Sequence, residues 1–254
     1  MTVDVHHVID GPEDAPVLIL GGSLGSTLEM WEPQVADLAR DLRVVRYDMR
    51  GHGRSPVPGG PYTIADLGAD VVRLLDRLGV RRAHFAGLSI GGMTGMWLGA
   101  HAPERIDRLA LLCTSALLGP PEGWSRRAAT VRAEGTGAVA AGVVERWFTP
   151  GFAHAEPAVV ERMTSMVAAT PAEGYAGCCA AIERMDLRPD LPAIAAPTLV
   201  VAGADDPATP PAHAELIADA VPGARLEVVG PGAHLASWER ADQVNPLLRA
   251  HFVR

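Results

Sequence analysis

The pentapeptide Gly-Leu-Ser-Ile-Gly at positions 87–91 sets the strictest limit on how this chain folds. An apolar run at 82–86 suits a buried strand, and a run of apolar and small residues at 93–100 suits a helix packed on a sheet. Between a strand and a helix, G-x-S-x-G predicts a tight turn that presents Ser89 as a nucleophile. Glycine is expected at both ends of the motif because a Cβ there would clash. The alternative is a glycine-rich turn with an incidental serine.

Strand-like and helix-like segments alternate along most of the chain. Val3, Val5 and His7 alternate with polar residues and predict one short edge strand. Apolar runs that suit strands covered on both faces follow at 17–20, 44–47, 82–86, 109–112, 198–202 and 226–229. Periodic apolar residues predict helices at 30–39, 63–78, 93–100, 210–221 and 241–252. We therefore expect an α/β protein with a mostly parallel, doubly wound sheet of about seven to eight strands.

The rhythm changes between positions 117 and 188, where no strand-like run stands out and Ala, Glu, Arg and Trp predominate. We interpret 117–188 as an inserted helical cap, and 1–116 together with 189–254 as the core of the α/β fold. In such a sheet, functional groups gather at the carboxyl ends of the strands. The catalytic residues are therefore expected in loops that follow core strands.

A serine hydroxyl needs a general base, and position along the chain favours His234. In this architecture the order is serine, carboxylate, histidine, which leaves His213, His234 and His251. His213 and His251 fall in predicted helices, whereas His234 lies in a loop directly after a predicted strand. His52 precedes the serine, and we interpret it as a residue that stabilises a turn. The alternative role for His234 is to cap the following helix.

Two adjacent carboxylates, Asp205 and Asp206, follow another predicted strand. Their side chains cannot both point at His234, and we favour Asp206, with Asp205 as the alternative. The negative charge that develops on a substrate oxygen needs two backbone N–H donors. We expect these from Ile90, the residue after the nucleophile, and from Ser23 in the first glycine-rich loop.

Composition argues against several classes of function. With a formal net charge of −8 and no basic run, a nucleic-acid partner is not expected, and an anionic substrate would need a local cation. The three cysteines show no metal-ligand spacing, so no metal is expected, and reduced thiols suit a cytoplasmic protein. No apolar run approaches the ~18 residues of a membrane helix, and no secretory signal pattern is present, so no membrane association is expected.

Taken together, these motifs resemble the α/β-hydrolase superfamily and, within it, the 3-oxoadipate enol-lactonases. The resemblance covers almost the whole chain and rests on residues 23–25, 30–31, 46–48, 50–53, 61–64 and 87–93. The most specific match is Gly-Tyr-Ala-Gly-Cys-Cys-Ala at 174–180, because hydrolase chemistry does not require that stretch. Gly21 stands where many superfamily members have a histidine, and only one N-terminal strand fits where relatives usually have a hairpin.

The resemblance implies hydrolysis of 3-oxoadipate enol-lactone, a small lactone with a carboxymethyl group, by a Ser89–His234–Asp206 triad. It places the reaction in aromatic catabolism through the β-ketoadipate pathway and implies no metal and no organic cofactor. Arg146 and Arg184 in the predicted cap are the candidates for binding the substrate carboxylate. Further substrate-binding residues are expected in the first loop, the nucleophile helix and the cap, namely Leu24, Met93, Trp124 and Trp147.

Other functions remain open at this point. A general carboxylesterase, or a cofactor-free haloperoxidase or perhydrolase, would use the same triad with a less polar pocket. A ligand receptor or regulator on a hydrolase scaffold can also keep the triad, since fold and site do not fix biological use. The oligomeric state is open, with a homodimer as one alternative.

Overall fold

A computed structural model describes residues 1–253, in which a seven-stranded sheet carries helices on both faces. The strands are β1 (His7–Asp10), β2 (Val17–Gly21), β3 (Arg43–Tyr47), β4 (Ala83–Leu88), β5 (Ile106–Leu112), β6 (Thr198–Gly203) and β7 (Arg225–Val229). The helices of the N-terminal half are α1 (Glu32–Leu38), α2 (Ile64–Arg77) and α3 (Ile90–His101). Those that follow β5 are α4 (Pro121–Glu134), α5 (Gly137–Val144), α6 (Pro150–Ala155), α7 (Pro157–Ala168), α8 (Ala172–Arg184), α9 (Pro211–Ala220), α10 (Ala236–Glu239) and α11 (Ala241–Phe252). Among residues 1–253, no helix is long and apolar enough to cross a membrane.

The strand order is β1-β3-β2-β4-β5-β6-β7, and every neighbouring pair is parallel except β1 with β3. The prediction of a mostly parallel, doubly wound sheet is confirmed. The central strands β4 and β6 are buried along their whole length, as continuous apolar runs in a parallel sheet should be. Gly21 at the end of β2 pairs with Gly87 of β4, which brings the first loop beside the serine turn.

The edge strand exists, but it lies later in the chain than the alternating residues suggest. β1 begins at His7 and pairs antiparallel with β3. Val3 instead donates its N–H to Asp70 Oδ1 at 2.8 Å, which ties the N-terminal segment to α2. The Val3 N–H therefore pairs with the Asp70 carboxylate of α2 rather than with the neighbouring strand that the alternating pattern predicts.

α2 begins with the predicted cap and carries an ion pair that fastens the loop after β3. Thr63 and Asp66 form a reciprocal capping box. Arg50 donates from Nε to Asp70 Oδ2 at 2.6 Å and from Nη2 to Asp70 Oδ1 at 2.8 Å, and both side chains are buried. Burial raises the cost of leaving either charge alone, so this bidentate pair holds the loop firmly.

Replacing Asp70 with Asn should destabilise the fold by about 3 kcal/mol, since the buried guanidinium of Arg50 loses its bidentate partner and keeps only one carboxylate contact, the longer one to Asp66 at 3.5 Å. Urea unfolding followed by circular dichroism measures the loss. The matched control is Asp242→Asn, because Asp242 forms an exposed pair with Arg240 and should cost less than about 1 kcal/mol. Equal midpoints for the two variants would contradict this view of the loop.

The segment between β5 and β6 contains the five helices α4–α8 and no strand. α4 packs on α8, and α5 packs on α7. The segment contacts the core at glycine positions: a Cβ on Gly174 would lie 2.1 Å from the carbonyl oxygen of Gly51. We call α4–α8 with their connections the helical cap. Its close approach to the loop after β3 brings cap residues to the carboxyl edge of the sheet.

Candidate active site

Ser89 lies in a strained turn between β4 and α3. Its φ of 58° and ψ of −119° are unusual for a residue that carries a Cβ. A Cβ on Gly87 would lie 2.1 Å from the carbonyl oxygen of Gly91, and one on Gly91 would lie 2.3 Å from that of Gly21. Glycine is therefore required at these positions, as the motif predicts. The turn places Ser89 at the N-terminus of α3 and on the wall of a cavity.

His234 and Asp206 meet on the same side of the sheet, on the loops after β7 and β6. His234 Nδ1 lies 2.8 Å from Asp206 Oδ2, and both side chains are buried. Asp206 also accepts hydrogen bonds from the N–H groups of Ala208 and Thr209 and from the Thr209 hydroxyl. Burial alone would raise the pKa of the Asp206 carboxyl, but His234 and the Thr209 hydrogen bonds lower it below its ordinary value. Asp206 is therefore an ionised partner that orients the imidazole.

His234 and Ser89 line the same cavity, although they are far apart in sequence. The adjacent candidate, Asp205, is exposed, and its Oδ2 accepts the Gly232 N–H at 3.0 Å. Asp205 thus stabilises the loop that carries the histidine, while Asp206 contacts the imidazole. The structure thus places Asp206 against the His234 imidazole and puts Ser89 and His234 on the wall of one cavity, as the predicted triad requires.

The helical cap also holds the histidine loop. The N–H of His234 donates to the Arg146 carbonyl at 3.4 Å, and that of Leu235 donates to the Trp147 carbonyl at 2.8 Å. Glu239 accepts the N–H groups of both Thr149 and Ala233, so it links the cap to the same loop. The position of the base therefore depends on contacts with the cap as well as on Asp206.

The first loop has a backbone N–H group that is free to act as the candidate oxyanion donor, and it belongs to Leu24 rather than to the predicted Ser23. The Ser23 N–H donates to Met30 Sδ at 3.1 Å, so it is already engaged inside the protein. The Ser23 carbonyl accepts from Ser26 through its N–H at 3.1 Å and its hydroxyl at 2.8 Å. In a trans peptide the N–H points opposite to the carbonyl, so the Leu24 N–H points away from Ser26. Among residues 1–253 the Leu24 N–H has no hydrogen-bond partner.

We therefore replace Ser23 with Leu24 as the donor from this loop. Ile90, the other predicted donor, is the first residue of α3 and follows the nucleophile directly. Sequence spacing could not distinguish Ser23 from Leu24, because both line the cavity and only the peptide orientation separates them. Leu24, predicted as a substrate-binding residue, keeps a place on the wall.

The cavity above Ser89 has a volume of about 220 Å³ and lies between the core and the cap. This is below the ~300–1,000 Å³ of pockets that hold drug-sized ligands, so a small substrate is favoured. Of the predicted substrate-binding residues, Leu24, Trp124, Arg146 and Trp147 line it. Tyr175 of α8 also lines the cavity, and its hydroxyl lies near Arg127. Burial raises the pKa of this hydroxyl to about 12.

Two predicted substrate-binding residues are not on the cavity wall. Met93 is fully buried within α3, where it contributes to the core. Arg184 is the last residue of α8, and its side chain is exposed. Both residues lie on helices that reach the site, but their side chains point from the helix face that is turned away from the cavity. Closeness to the site in sequence does not fix that direction.

A second cation in the cavity is Arg127, which sequence reasoning missed. Its guanidinium lies 4.6 Å from the ring centroid of Trp124, one turn earlier on α4. Residues three apart lie on the same face of a helix. Because the sequence already assigns Trp124 to the site, the same spacing indicates that Arg127 faces the cavity too. Neither Arg127 nor Arg146 takes part in an ion pair within residues 1–253.

The two guanidinium groups influence each other. The pKa of Arg146 is lowered from its ordinary value, chiefly by partial burial and next by the positive charge of Arg127. The two like charges share one small cavity, and within residues 1–253 neither forms an ion pair with a carboxylate. The exposed Glu145 offsets the charge of Arg146 only in part, so this wall of the cavity is positive. An anionic ligand would relieve this repulsion, so the arrangement favours a substrate that carries a carboxylate.

Within residues 1–253, no group of three or more His, Cys, Asp or Glu side chains is arranged to hold a metal ion. The three cysteines are free and buried. Burial raises the pKa of the Cys113 and Cys178 thiols well above the ordinary value, which keeps them protonated. None of the three cysteines lines the cavity, and the hydroxyl that the strained turn presents there is that of Ser89.

Comparisons with known proteins agree with this geometry. The family model described as "alpha/beta hydrolase fold" matches residues 15–241. The chain is 40% identical over 248 residues to 3-oxoadipate enol-lactonase 2 of Acinetobacter baylyi, covering 98% of this chain and 92% of that protein. It is 37% identical to 3-oxoadipate enol-lactonase 1 of the same organism, covering 92% of this chain and 88% of the relative.

Solved structures give the same result. The crystal structure of the enol-lactonase from Burkholderia xenovorans superposes with a TM-score of 0.97 at 43% identity, covering 99% of this chain and 97% of that one. A thermophilic esterase from Thermogutta terrifontis, solved with malate bound, superposes with a TM-score of 0.91 at 29% identity, covering 98% of this chain and 92% of that one. The fold, the serine turn and these similarities establish that the chain belongs to the α/β hydrolase family.

Proposed function

We propose that this protein hydrolyses 3-oxoadipate enol-lactone to 3-oxoadipate through a covalent acyl-enzyme on Ser89. The observation that carries the proposal is the unpaired Arg127 and Arg146 in one small cavity with Ser89 and His234. A general esterase needs the triad but not two cations beside it that lack a carboxylate partner. The substrate offers a lactone carbonyl for the serine and a carboxylate for the arginines, and relatives with this name share the full length of the fold.

In the acylation step, His234 Nε2 takes the Ser89 hydroxyl proton while Oγ attacks the lactone carbonyl carbon. The carbonyl oxygen becomes an oxyanion that the N–H groups of Leu24 and Ile90 stabilise. The ring C–O bond then breaks, and the leaving enol oxygen receives the proton from His234. An enol leaves more easily than an alkoxide, and it tautomerises to the ketone while still attached to the acyl-enzyme.

In the deacylation step, the neutral imidazole of His234 removes a proton from water, which attacks the acyl carbonyl. The second tetrahedral intermediate uses the same two N–H donors. Its collapse returns the proton to Ser89 Oγ and releases 3-oxoadipate. Asp206 keeps the imidazole oriented and stabilises its charged form in both steps, and none of these steps uses a metal or an organic cofactor.

The substrate carboxylate would lie between the guanidinium groups of Arg127 and Arg146. Each charge-assisted contact is worth about 1.5–3 kcal/mol in a partly buried site. Trp124 and Trp147 form apolar walls beside this carboxylate site. We place the reaction in the cytoplasm, because three free, buried thiols suit a reducing compartment.

Replacing Arg127 or Arg146 with Gln should raise KM for the enol-lactone by about 10- to 100-fold, because each loses a charged contact to the carboxylate. The effect on p-nitrophenyl acetate, which has no carboxylate, should stay within about threefold. The matched control is Arg184→Gln, whose exposed side chain should leave KM unchanged. Steady-state kinetics of the three variants on both substrates separate these outcomes, and an unchanged lactone KM would remove the residue from the site.

The proposed activity is tested by incubating the purified protein with the enol-lactone and following loss of its ultraviolet absorbance, with chromatography to identify 3-oxoadipate. We expect kcat/KM above about 10⁴ M⁻¹s⁻¹, within the usual range for a natural substrate. Faster turnover of simple aryl esters would favour a general esterase. Tight binding of the lactone without turnover would favour a receptor.

A further inference from the structure

Gly25, next to the proposed oxyanion donor Leu24, is held by hydrogen bonds on both of its backbone polar groups. Its N–H donates to His52 Nε2 at 3.0 Å, and its carbonyl accepts from the Thr170 hydroxyl at 3.2 Å. His52 belongs to the loop after β3, whereas Thr170 belongs to the connection between α7 and α8 in the cap. Gly25, in the loop after β2, is therefore held by the core through its N–H and by the cap through its carbonyl.

The core contact requires a neutral His52 with a defined tautomer. Its Nδ1 lies 3.1 Å from the Arg50 carbonyl, which can only accept, so Nδ1 carries the proton and Nε2 is the acceptor for Gly25. His52 is fully buried, and burial lowers its pKa to about 4. His52 Nε2 therefore remains an acceptor for the Gly25 N–H across the neutral pH range. The Arg50–Asp70 ion pair anchors the backbone of the loop that carries His52.

The cap contact is also anchored on both sides. The Thr170 hydroxyl lies closer to the Gly25 carbonyl, at 3.2 Å, than to the Met166 carbonyl of its own segment, at 3.4 Å. The Thr136 hydroxyl donates to the Thr170 carbonyl at 2.7 Å, which fixes the Thr170 backbone within the cap. A Cβ on Gly25, whose φ is +84°, would lie 3.1 Å from the Tyr175 ring and 3.2 Å from a Val167 methyl. Cap side chains therefore pack directly on this glycine, and Thr170 is buried among them.

We propose that Thr170 and His52 are positioning residues, which fix Gly25 from the cap and the core and so hold the Leu24 N–H in place for the oxyanion. Through Thr170 the cap acts on the catalytic step itself, beyond enclosing the substrate. The inference rests on the proposed acyl-enzyme chemistry at Ser89. Neither residue lines the cavity, so neither touches the substrate, and a loss of either should lower kcat rather than raise KM.

The test compares Thr170→Val, which removes the hydroxyl but keeps the shape, with Thr170→Ser, which keeps the hydroxyl. We expect Thr170→Val to lower kcat about tenfold on both the enol-lactone and p-nitrophenyl acetate, with KM within twofold, since full loss of an oxyanion donor costs about 10²–10³-fold. It should weaken a boronic acid inhibitor, which mimics the tetrahedral oxyanion, about tenfold and leave 3-oxoadipate affinity unchanged. Thr170→Ser should restore both quantities to within about threefold of wild type.

A second pair of variants keeps the test decisive if Thr170→Val does not fold. A glutamine at position 52 can present Oε1 to the Gly25 N–H, so His52→Gln should retain more kcat and boronate affinity than His52→Leu. Unchanged kcat and boronate affinity in Thr170→Val, or equal losses in His52→Gln and His52→Leu, would overturn the proposal. Because the ester and boronate readouts need only Ser89 chemistry, they report on these residues even if the enol-lactone is not a substrate.

Discussion

Replacing Ser89 with Ala is expected to lower kcat for enol-lactone hydrolysis by about 10⁶-fold, as loss of the nucleophile does in other serine hydrolases. The remaining rate should approach that of a site with only oxyanion donors and substrate binding. Initial rates over long incubations at high protein concentration measure the residual activity. Circular dichroism checks that the variant is folded.

The matched control for this variant is Ser115→Ala. Ser115 is also buried, also follows a strand of the sheet, and lies 2.6 Å from a histidine nitrogen, His213 Nδ1. It borders a different cavity and has no place in the proposed reaction. Its replacement should leave kcat within about threefold of wild type. If Ser89→Ala retained more than about 1% of kcat, covalent catalysis through Ser89 would be refuted.

Replacing Asp206 with Asn should lower kcat by about 10⁴-fold, the loss seen when a triad carboxylate is changed to its amide. An amide cannot stabilise the imidazolium, and its N–H₂ group favours the wrong tautomer of His234. KM should change far less than kcat, since Asp206 does not line the cavity. Steady-state kinetics at neutral pH measure both quantities.

The adjacent Asp205 provides a control that differs by one position. Its exposed carboxylate accepts the Gly232 N–H, so Asp205→Asn should weaken the histidine loop slightly and lower kcat by less than about tenfold. A larger loss in Asp205→Asn than in Asp206→Asn would mean that the roles of the two carboxylates are reversed in solution.

The sheet and the residues of the triad could be predicted from sequence because strong local signals coincide there. The glycines around Ser89 are required because a Cβ at either position would lie about 2 Å from a backbone carbonyl oxygen, so any chain with this turn must show them. His234 and Asp206 follow strands whose order along the chain is set by the fold, which reduces nine histidines to three candidates. A signal of this kind needs no knowledge of side-chain packing.

The remainder of the site depends on orientations that a sequence does not encode locally. Ser23 and Leu24 are neighbours, and only the bonds from Ser26 decide which N–H faces the cavity. Arg184 and Arg127 lie on α8 and α4 of the same cap, and the packing of those helices decides that Arg127 faces the cavity. Tertiary packing, rather than residue type, thus selects the substrate-binding residues.

The most direct test of the account compares kcat/KM for 3-oxoadipate enol-lactone with that for the same lactone carrying a methyl ester on its carboxylate. The two compounds share the scissile bond and differ only in the charge that Arg127 and Arg146 are proposed to bind. We predict that the free acid is preferred by at least about 100-fold, since charged contacts of about 10-fold or more from each of the two arginines multiply. Equal values, or a preference for the methyl ester, would contradict the assignment of this cavity to an anionic lactone.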